Sequence, residues 1–381
     1  MIVVIACDVP LDENNGTAVA AVNLVRALRE AGETVRILCP DARLAGQPDA
    51  YVTEPLNLLF LNDYVRRNGV LLSKKSHETV CRALDGADLL HTITPFLLCC
   101  TAAREAKKRG IPVTSGFHCQ AENFSSHVFM MNSRRFNANL YRIFYRNLYR
   151  YSDKIHYPSQ FIRDTFENAI GKKTPGEVIS NGVGSEFVKK EVARPPEYRD
   201  RFVILFTGRY SKEKSHQVLI DAASKSKFAD KLQLIFAGDG PLRGKLEEYA
   251  AEKLKNRPVF GFHPRAELID IINYADLYVH PAEIEIEAIA CLEAIRCGLV
   301  PVIADSPRSA TRAFALDEKN LFACNDSDSL AERIDYWLSN PEKKRERSAE
   351  YLGYTEQFAK PLCMERMLTM IRRTAKETHE T

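Results

Sequence analysis

Two hydrophobic periods take turns along this chain. Residues 1–7 form an unbroken apolar run of strand length, and from Thr17 to Ala31 the apolar positions Ala18, Val22, Leu24, Val25 and Leu28 share one helical face that Gly32 closes. Val35 to Cys39 reads as the next strand and Leu89 to Thr92 as another, followed by a helix through Ala106 that stops at Gly110. Ile111 to Ser115 is a strand, and a long helical pattern fills the stretch from Arg134 to Tyr151. Lys154 to Tyr157, a helix from Ser159, and Glu177 to Ser180 complete the region. Strands alternating with helices predict a parallel sheet joined by right-handed crossovers.

The alternation restarts after Asn181-Gly182-Val183-Gly184. Phe202 to Phe206, Leu232 to Ala237, Val259-Phe260, Leu277 to His280 and Val300 to Ala304 read as strands with helices between them, and Arg194-Pro195-Pro196 lies just past the hinge. A last stripe, Met364, Met367, Leu368 and Ile371, has helical spacing between Lys360 and Thr374, with Pro361 in its first turn. The expectation is an α/β protein of two Rossmann-like domains, residues 1–182 and 183–355, with a C-terminal helix over residues 360–381 packing back on the first. A length of 381 residues exceeds one ordinary core and suits two.

Charge narrows the partners. A formal net charge of +3 gives no case for nucleic acid, but Arg104 to Lys154 is rich in Lys and Arg and poor in carboxylates, so a local basic surface is expected. The ten cysteines include no C-x-x-C pair and several sit in apolar runs, which points to a reducing, cytosolic setting. The first residues read as a core strand, with no basic n-region or cleavage site of a signal peptide. No apolar stretch approaches the roughly 18 residues that span a bilayer, so any membrane contact is expected from the surface.

Candidate chemistry collects where strands end. Gly16 follows the first strand, either as the turn that opens a helix or as a loop whose backbone nears a phosphate or sugar. It is not part of a G-x-G-x-x-G fingerprint, which weighs against a nicotinamide cofactor. Thr207-Gly208-Arg209 opens at the end of a buried strand, where ligands collect in α/β sheets, and Arg209 with Lys214 sets two cations at its mouth. Pro281 to Ala294 leads from a strand into an apolar helix that Gly298 ends. Small residues at Ala288 and Ala290 leave amides of the helix N-terminus accessible, a natural diphosphate site. Glu285 lies before the helix and Glu293 on its body; Glu283 and Glu287 read as acidic residues that favour a helix N-terminus, which does not account for Glu293 among apolar neighbours. Asp326-Ser327-Asp328 imitates a metal-binding D-x-D, but an amphipathic helix follows it directly, so it reads as a cap, and no metal site is expected.

The second half resembles glycosyltransferase family 4, retaining enzymes of GT-B fold, through Gly208-Arg209 with Lys214, Ala237-Gly238-Asp239-Gly240-Pro241, Gly261-Phe262, the Glu285/Glu293 pair, Cys297-Gly298 and Pro301-Val302-Ile303-Ala304. The first half is similar more loosely, through Gly16, the Asn23-Leu24 to Gly32 helix and Phe117-His118. The resemblance implies two Rossmann-like domains facing each other across a cleft. Arg209 and Lys214 would bind the donor diphosphate, Glu293 the ribose hydroxyls and Glu285 the transferred hexose. The amides of Ile289 and Ala290 would hold the distal phosphate, Phe262 would lie beside the base, and Gly16 would line the donor site. His118 matches an acceptor-side histidine near the reacting sugar; its other reading is a core-edge histidine. No cofactor or metal is implied, since the cations and helix dipole take the metal's place. The chain departs from the pattern at Glu287-Ala288, where many members carry Phe-Gly, and at Gly184, where an aspartate is common.

For the acceptor, Arg142, Arg146 and Arg150 recur at i, i+4 beside Tyr141, Tyr145 and Tyr149, a basic-aromatic pattern suited to anionic membranes. The same spacing also fits a helix whose aromatic side is core. The preceding loop, Gln120 to Met131, is apolar, with Phe124, Val128 and Phe129. With a similarity to the glycolipid-forming branch, the expectation is hexosyl transfer, of glucose or galactose, from a UDP-sugar to diacylglycerol or a related lipid by a peripheral enzyme on the inner membrane face. The alternatives are a transferase with a soluble or polysaccharide acceptor, a sugar-nucleotide epimerase, and a non-catalytic sugar-nucleotide-binding module.

Overall fold

A computed structural model of the protein describes residues 1–9, 16–57, 59, 62, 71–126 and 130–379. The chain divides into two compact units, Met1–Asn181 with Cys363–Thr381, and Gly182–Leu362. Among the described residues the first unit holds seven strands: β1 (Ile2–Ala6), β2 (Thr34–Cys39), β3 (Ala50–Val52), β4 (Leu89–Thr92), β5 (Val113–Gly116), β6 (Lys154–Tyr157) and β7 (Gly176–Val178). Their order is β3-β2-β1-β4-β5-β6-β7, and every pairing is parallel. β1 lies in the sheet interior, between β2 and β4, because it is apolar on both faces: Val3, Val4, Ile5 and Ala6 are all buried. The second unit holds β8 (Phe202–Thr207), β9 (Leu232–Ala237), β10 (Val259–Gly261), β11 (Leu277–His280), β12 (Pro301–Asp305) and β13 (Leu321–Ala323), in the order β10-β9-β8-β11-β12-β13, again all parallel. Both sheets are the open, parallel α/β type that the alternating pattern predicts.

One face of the first sheet is covered by the helices Gly16–Glu30 and Lys360–His379. Ala18, Ala21, Leu24, Val25 and Leu28 of the former and Cys363, Met367, Met370, Ile371 and Ala375 of the latter pack with Val3, Ile5, Val35 and Ile37. Arg372 ties the terminal helix to Glu33 at 2.7 Å, and Arg366 donates to the Val178 carbonyl at 2.9 Å.

Several local expectations are corrected. The helix read over Arg134–Tyr151 ends at Asn147, where Leu148 leaves helical geometry (φ −127°, ψ −68°), and Tyr149–Tyr151 is a 3-10 turn. Arg150 is therefore not on the helix that carries Arg142 and Arg146. The aromatic residues of this stretch are core: Tyr141, Phe144 and Tyr149 are buried, with the Phe117 ring 4.8 Å from Tyr149 and 4.7 Å from Phe166. The Gln120–Met131 loop contains a short helix, Ala121–Ser126, and Met131 is buried. Val128 and Phe129 lie outside the described residues. The strands read from Ile111 and Val300 begin instead at Val113 and Pro301.

Candidate active site

The second sheet reverses its order at β8, which pairs with β9 on one side and β11 on the other. Loops leaving the C-terminal ends of such neighbours diverge and leave a crevice for a ligand. After β8 the backbone turns at Gly208, whose N–H donates to the Ala237 carbonyl at 3.0 Å; Tyr210 N–H donates to Asp239 O at 3.0 Å and Gly238 N–H to Gly261 O at 2.8 Å. The three loops are layered too closely for side chains. A Cβ on Gly238 would come within 2.0 Å of the Gly208 carbonyl oxygen, and one on Gly240 within 2.6 Å of the Tyr210 backbone. Arg209 is exposed at this edge, and Phe262, which directly follows β10, is 76% exposed. Lys214 is half-buried at the end of the 3-10 turn Lys212–Lys214.

Glu285 arrives from the loop after β11. Glu283 N–H donates to Glu213 O at 2.8 Å, which ties that loop to the one carrying Lys214. The Lys214 ammonium is ion-paired with Glu285 Oε1, and His280 Nε2 reaches the same oxygen at 3.1 Å. A carboxylate only accepts, so Nε2 carries the proton and Nδ1 accepts the Tyr278 hydroxyl at 3.2 Å. Burial works to raise the Glu285 pKa, but the Lys214 charge and the His280 bond overcome it and hold the group down at about 2. Burial likewise pushes His280 below its ordinary value, so it is a neutral donor. His280 was not singled out from the sequence; its signal is a histidine closing a buried strand five residues before Glu285.

The helix behind this loop, Ile289–Arg296, starts one residue after Ala288, which adopts the left-handed region (φ 60°, ψ 58°). The amides of Ile289 and Ala290 open the helix and so have no intrahelical acceptor. Because the helix begins at Ile289, Glu283 and Glu287 are not its N-terminal acids. Glu283 is ion-paired with Arg308, its carbonyl accepts from Ser306 at 2.6 Å, and Glu287 is buried. Glu293 is half-buried on the helix body. Burial raises its pKa to about 7, only partly opposed by Arg265 and Lys360 at a distance, and among the described residues nothing pairs directly with its carboxylate. Asp326 caps the helix Ser327–Ser339 by accepting from the amides of Asp328 and Ser329 at 2.9 and 3.0 Å, as read from the sequence.

Gly16 and His118 belong to the first unit. Gly16 is the first residue of its helix. His118 follows β5, and Gly116 leaves it room, since a Cβ there would lie 2.5 Å from His118 Nε2. Its ring stands edge-on to His156 at 5.5 Å. His156 donates Nε2–H to the Ile179 carbonyl at 2.6 Å, and His91 Nδ1 lies 2.9 Å from the Thr114 hydroxyl. Burial drives all three histidines toward the neutral form: His118 well below its ordinary value, His91 to about 3 and His156 to about 4. Asp8, two residues past the end of β1, is buried, and among the described residues its Oδ1 has no partner; burial lifts it to about 6 despite a bond from Cys99 N–H at 3.2 Å. Sequence reasoning passed over Asp8, although a carboxylate straight after an apolar strand is the visible sign.

Of the residues expected to face lipid, Phe124 is 39% exposed with its ring 5.4 Å from Phe96, and Arg142, Arg146 and Arg150 are exposed. Among the described residues no helix is long and apolar enough to cross a membrane.

Comparison with known proteins places this geometry. A sequence profile described as glycosyl transferases group 1 matches residues 188–352, and one described as Glycosyltransferase Family 4 matches residues 14–187. The alpha-monoglucosyldiacylglycerol synthase of Streptococcus pneumoniae is 26% identical over 230 residues, 57% of this chain and 51% of that protein. A GDP-mannose-dependent phosphatidylinositol dimannoside mannosyltransferase of Mycobacterium tuberculosis is 29% identical over 153 residues, 39% of each. The chain thus spans about half or less of the length of these curated relatives. Among solved structures, Anabaena HepE in complex with UDP and glucose aligns with a TM-score of 0.74 at 16% identity, covering 98% of this chain and 100% of that one. The two profile matches together take in most of the sequence, and the two parallel sheets are those of the GT-B fold: the chain belongs to glycosyltransferase family 4.

Proposed function

We propose that the protein is a retaining hexosyltransferase that moves glucose or galactose from a UDP-sugar to a lipid acceptor such as diacylglycerol, at the cytoplasmic face of the membrane and without a metal ion. The observation that carries this reading is the Lys214–Glu285–His280 contact at the switch point of the second sheet. A sugar diphosphate offers that contact an anion for the ammonium and hydroxyls for the carboxylate. At rest the two side chains neutralise each other. A diphosphate that draws Lys214 away leaves Glu285 ionised, held by His280 and ready to accept from hexose hydroxyls. Arg209 on the same loop and the amides of Ile289 and Ala290 add positive potential where the leaving diphosphate gathers charge. Glu293 takes the ribose hydroxyls and Phe262 lies beside the base. The bond from the anomeric carbon to the diphosphate oxygen breaks with its electron pair on the diphosphate. The acceptor oxygen bonds to the same carbon from the same face, and its proton passes to the departing phosphate oxygen. His118, neutral through burial, keeps the acceptor-side role that the family resemblance implies.

The lipid acceptor is supported by a surface and by a relative. Arg134, Arg135, Arg142, Arg146 and Arg150 are exposed, and among the described residues no carboxylate pairs with them; Met130 and Ile143, 40% and 38% exposed, lie in the same stretch. Such a strip suits an anionic lipid surface. The pneumococcal relative is, by its name, a diacylglycerol glycolipid synthase.

The test is a donor and acceptor screen read by mass spectrometry. UDP-glucose, UDP-galactose and GDP-mannose are each offered with anionic vesicles containing diacylglycerol, a sterol or phosphatidylinositol dimannoside, and with soluble glycans in the absence of vesicles. The expected result is a glycosylated lipid from a UDP-hexose. Equal turnover on soluble glycans with vesicles ignored would overturn the lipid acceptor. An isomerised sugar nucleotide without acceptor would replace the transferase with an epimerase. Normal turnover in both Arg209→Ala and Lys214→Ala would refute the donor site.

A further inference from the structure

Away from the Lys214–Glu285 contact, in the first unit, three side chains of metal-ligating type converge. His77 and Cys81 stand one turn apart on the helix His77–Leu84, and Glu105 comes from the neighbouring helix Leu97–Lys108. His77 Nε2 lies 3.3 Å from Glu105 Oε2; Cys81 Sγ lies 3.8 Å from His77 Nε2 and 3.7 Å from Glu105 Oε1. Tetrahedral zinc, with Zn–S of about 2.3 Å and Zn–N and Zn–O of about 2.0–2.1 Å, holds its donors about 3.4–3.6 Å apart. The three side chains thus bring a sulfur, an imidazole nitrogen and a carboxylate close to that spacing, with one ligand atom from each lying within 4.8 Å of the others. His77 is exposed and Glu105 is buried, so the remaining vertex faces solvent.

The surroundings favour the same occupant. Arg109 Nε donates to Glu105 Oε1 at 3.0 Å, which fixes the carboxylate with Oε2 toward His77, and Arg109 Nη1 donates to the Cys81 carbonyl at 3.2 Å, which pins the end of the first helix. Outer-shell donors of this kind orient the ligands of metal sites. The donor set of one sulfur, one imidazole nitrogen and one carboxylate oxygen matches zinc and excludes magnesium and calcium, which take oxygen ligands. Arg109 and Lys108, 3.4 Å from Glu105 Oε2, compete for the carboxylate, so affinity falls below that of a closed four-ligand centre.

We propose that His77, Cys81 and Glu105 form a zinc site that clamps the helices His77–Leu84 and Leu97–Lys108 together, with the fourth position open to water. The site contains no group of the proposed transfer reaction.

The experiment uses the full chain stripped by a chelator and titrated with Co(II), a spectroscopic stand-in for zinc, then with Zn(II). The expected result is a thiolate-to-cobalt charge-transfer band with tetrahedral d–d absorption, saturating at one equivalent and displaced by Zn(II). Zn(II) also raises the melting temperature. Cys81→Ser removes the charge-transfer band, and His77→Ala weakens binding about tenfold or more, since even the loss of an outer-shell partner costs that much. Both variants keep donor turnover, because neither residue touches the proposed site. Absence of the band in the wild-type chain, or equal cobalt binding in wild type and Cys81→Ser, would overturn the assignment. The Glu105 role is checked by Glu105→Gln, whose fold is verified by circular dichroism; undiminished affinity in that folded variant would remove Glu105 from the ligand set and leave the proposal refuted.

Discussion

At the scale of single residues, the two glutamates of the second unit carry opposite perturbations, and the opposition separates their roles. Glu285 is held down at about 2 because a cation and a histidine meet it, whereas Glu293 is raised to about 7 because burial meets no direct partner. The folded pKa of Glu293 lies above its unfolded value of 4.5, so folding favours the protonated form. Its stabilising contribution is present below pH 4.5 and is lost as pH rises through about 7. The loss is on the order of 3 kcal/mol, about 2.5 pKa units at 1.36 kcal/mol each. Glu293→Gln keeps the neutral shape, so urea denaturation is expected to find it more stable than wild type by that amount at pH 8 and nearly equal at pH 4.5. A difference independent of pH would mean that Glu293 is not perturbed. Under the proposed function the same variant weakens donor binding, so stability at alkaline pH and affinity move in opposite directions. The sequence pointed to Glu293 as a carboxylate out of place among apolar neighbours. It could not point to His280, because a histidine that closes a strand has the same neighbours in the chain whether or not a carboxylate reaches it from the next loop.

At the scale of elements, Ala288 is the clearest case of local sequence and local structure in conflict. It holds the left-handed region at the start of the helix Ile289–Arg296, where an L-residue with a Cβ is disfavoured by about 1–2 kcal/mol. Ala288→Gly removes that strain and gives back part of it as unfolded-chain entropy. A gain of about 0.5–1 kcal/mol is expected, read as a higher melting temperature, with the helix retained. Destabilisation instead would mean that the alanine methyl contributes packing worth more than the strain. The departure at Glu287-Ala288 was visible in the sequence as an alanine where the family pattern carries glycine, but its backbone angle was not, since propensity does not encode φ. The helix Arg134–Asn147 makes the complementary point. Its 3.6-residue spacing was legible, yet periodicity alone could not say whether the Tyr141 side faced lipid or core, and the Phe117 and Phe166 rings settled it as core. What remains for a membrane is the arginine edge. Charge removal in Arg142→Gln/Arg146→Gln is therefore expected to reduce binding to anionic vesicles, by about 1 kcal/mol for each arginine near the surface, with no loss on neutral vesicles beyond the wild-type level. Unchanged sedimentation with anionic vesicles would show that the strip is only solvated.

At the scale of the whole molecule, the strongest signals were the long apolar strands and the point where the strand–helix alternation restarts; the weakest were three-residue strands such as β3 and β13, too short to show a period. The terminal helix joins these scales. Its stripe was legible, and its packing places Met370 and Ile371, both fully buried, in one core with Val3 and Ile5 of β1, more than 360 residues away in sequence. Ile371→Ala removes buried methyl groups at a contact with a stiff, two-sided sheet that has little room to collapse, so a loss of about 2–4 kcal/mol is expected. The second unit supplies its own reporter. The single tryptophan, Trp337, is buried in that unit's core with Nε1 donating to the Lys319 carbonyl at 2.9 Å, so its fluorescence follows the second unit while far-ultraviolet circular dichroism follows both. In urea, Ile371→Ala is expected to move the early part of the circular dichroism transition to lower denaturant and to leave the Trp337 transition near its wild-type midpoint. Among the described residues the terminal helix contributes its buried side chains to the core of the first unit, so the cavity opens there. A fluorescence transition that shifted as far as the circular dichroism signal would mean that the two cores unfold as one, and the helix would then be a determinant of the stability of the entire chain.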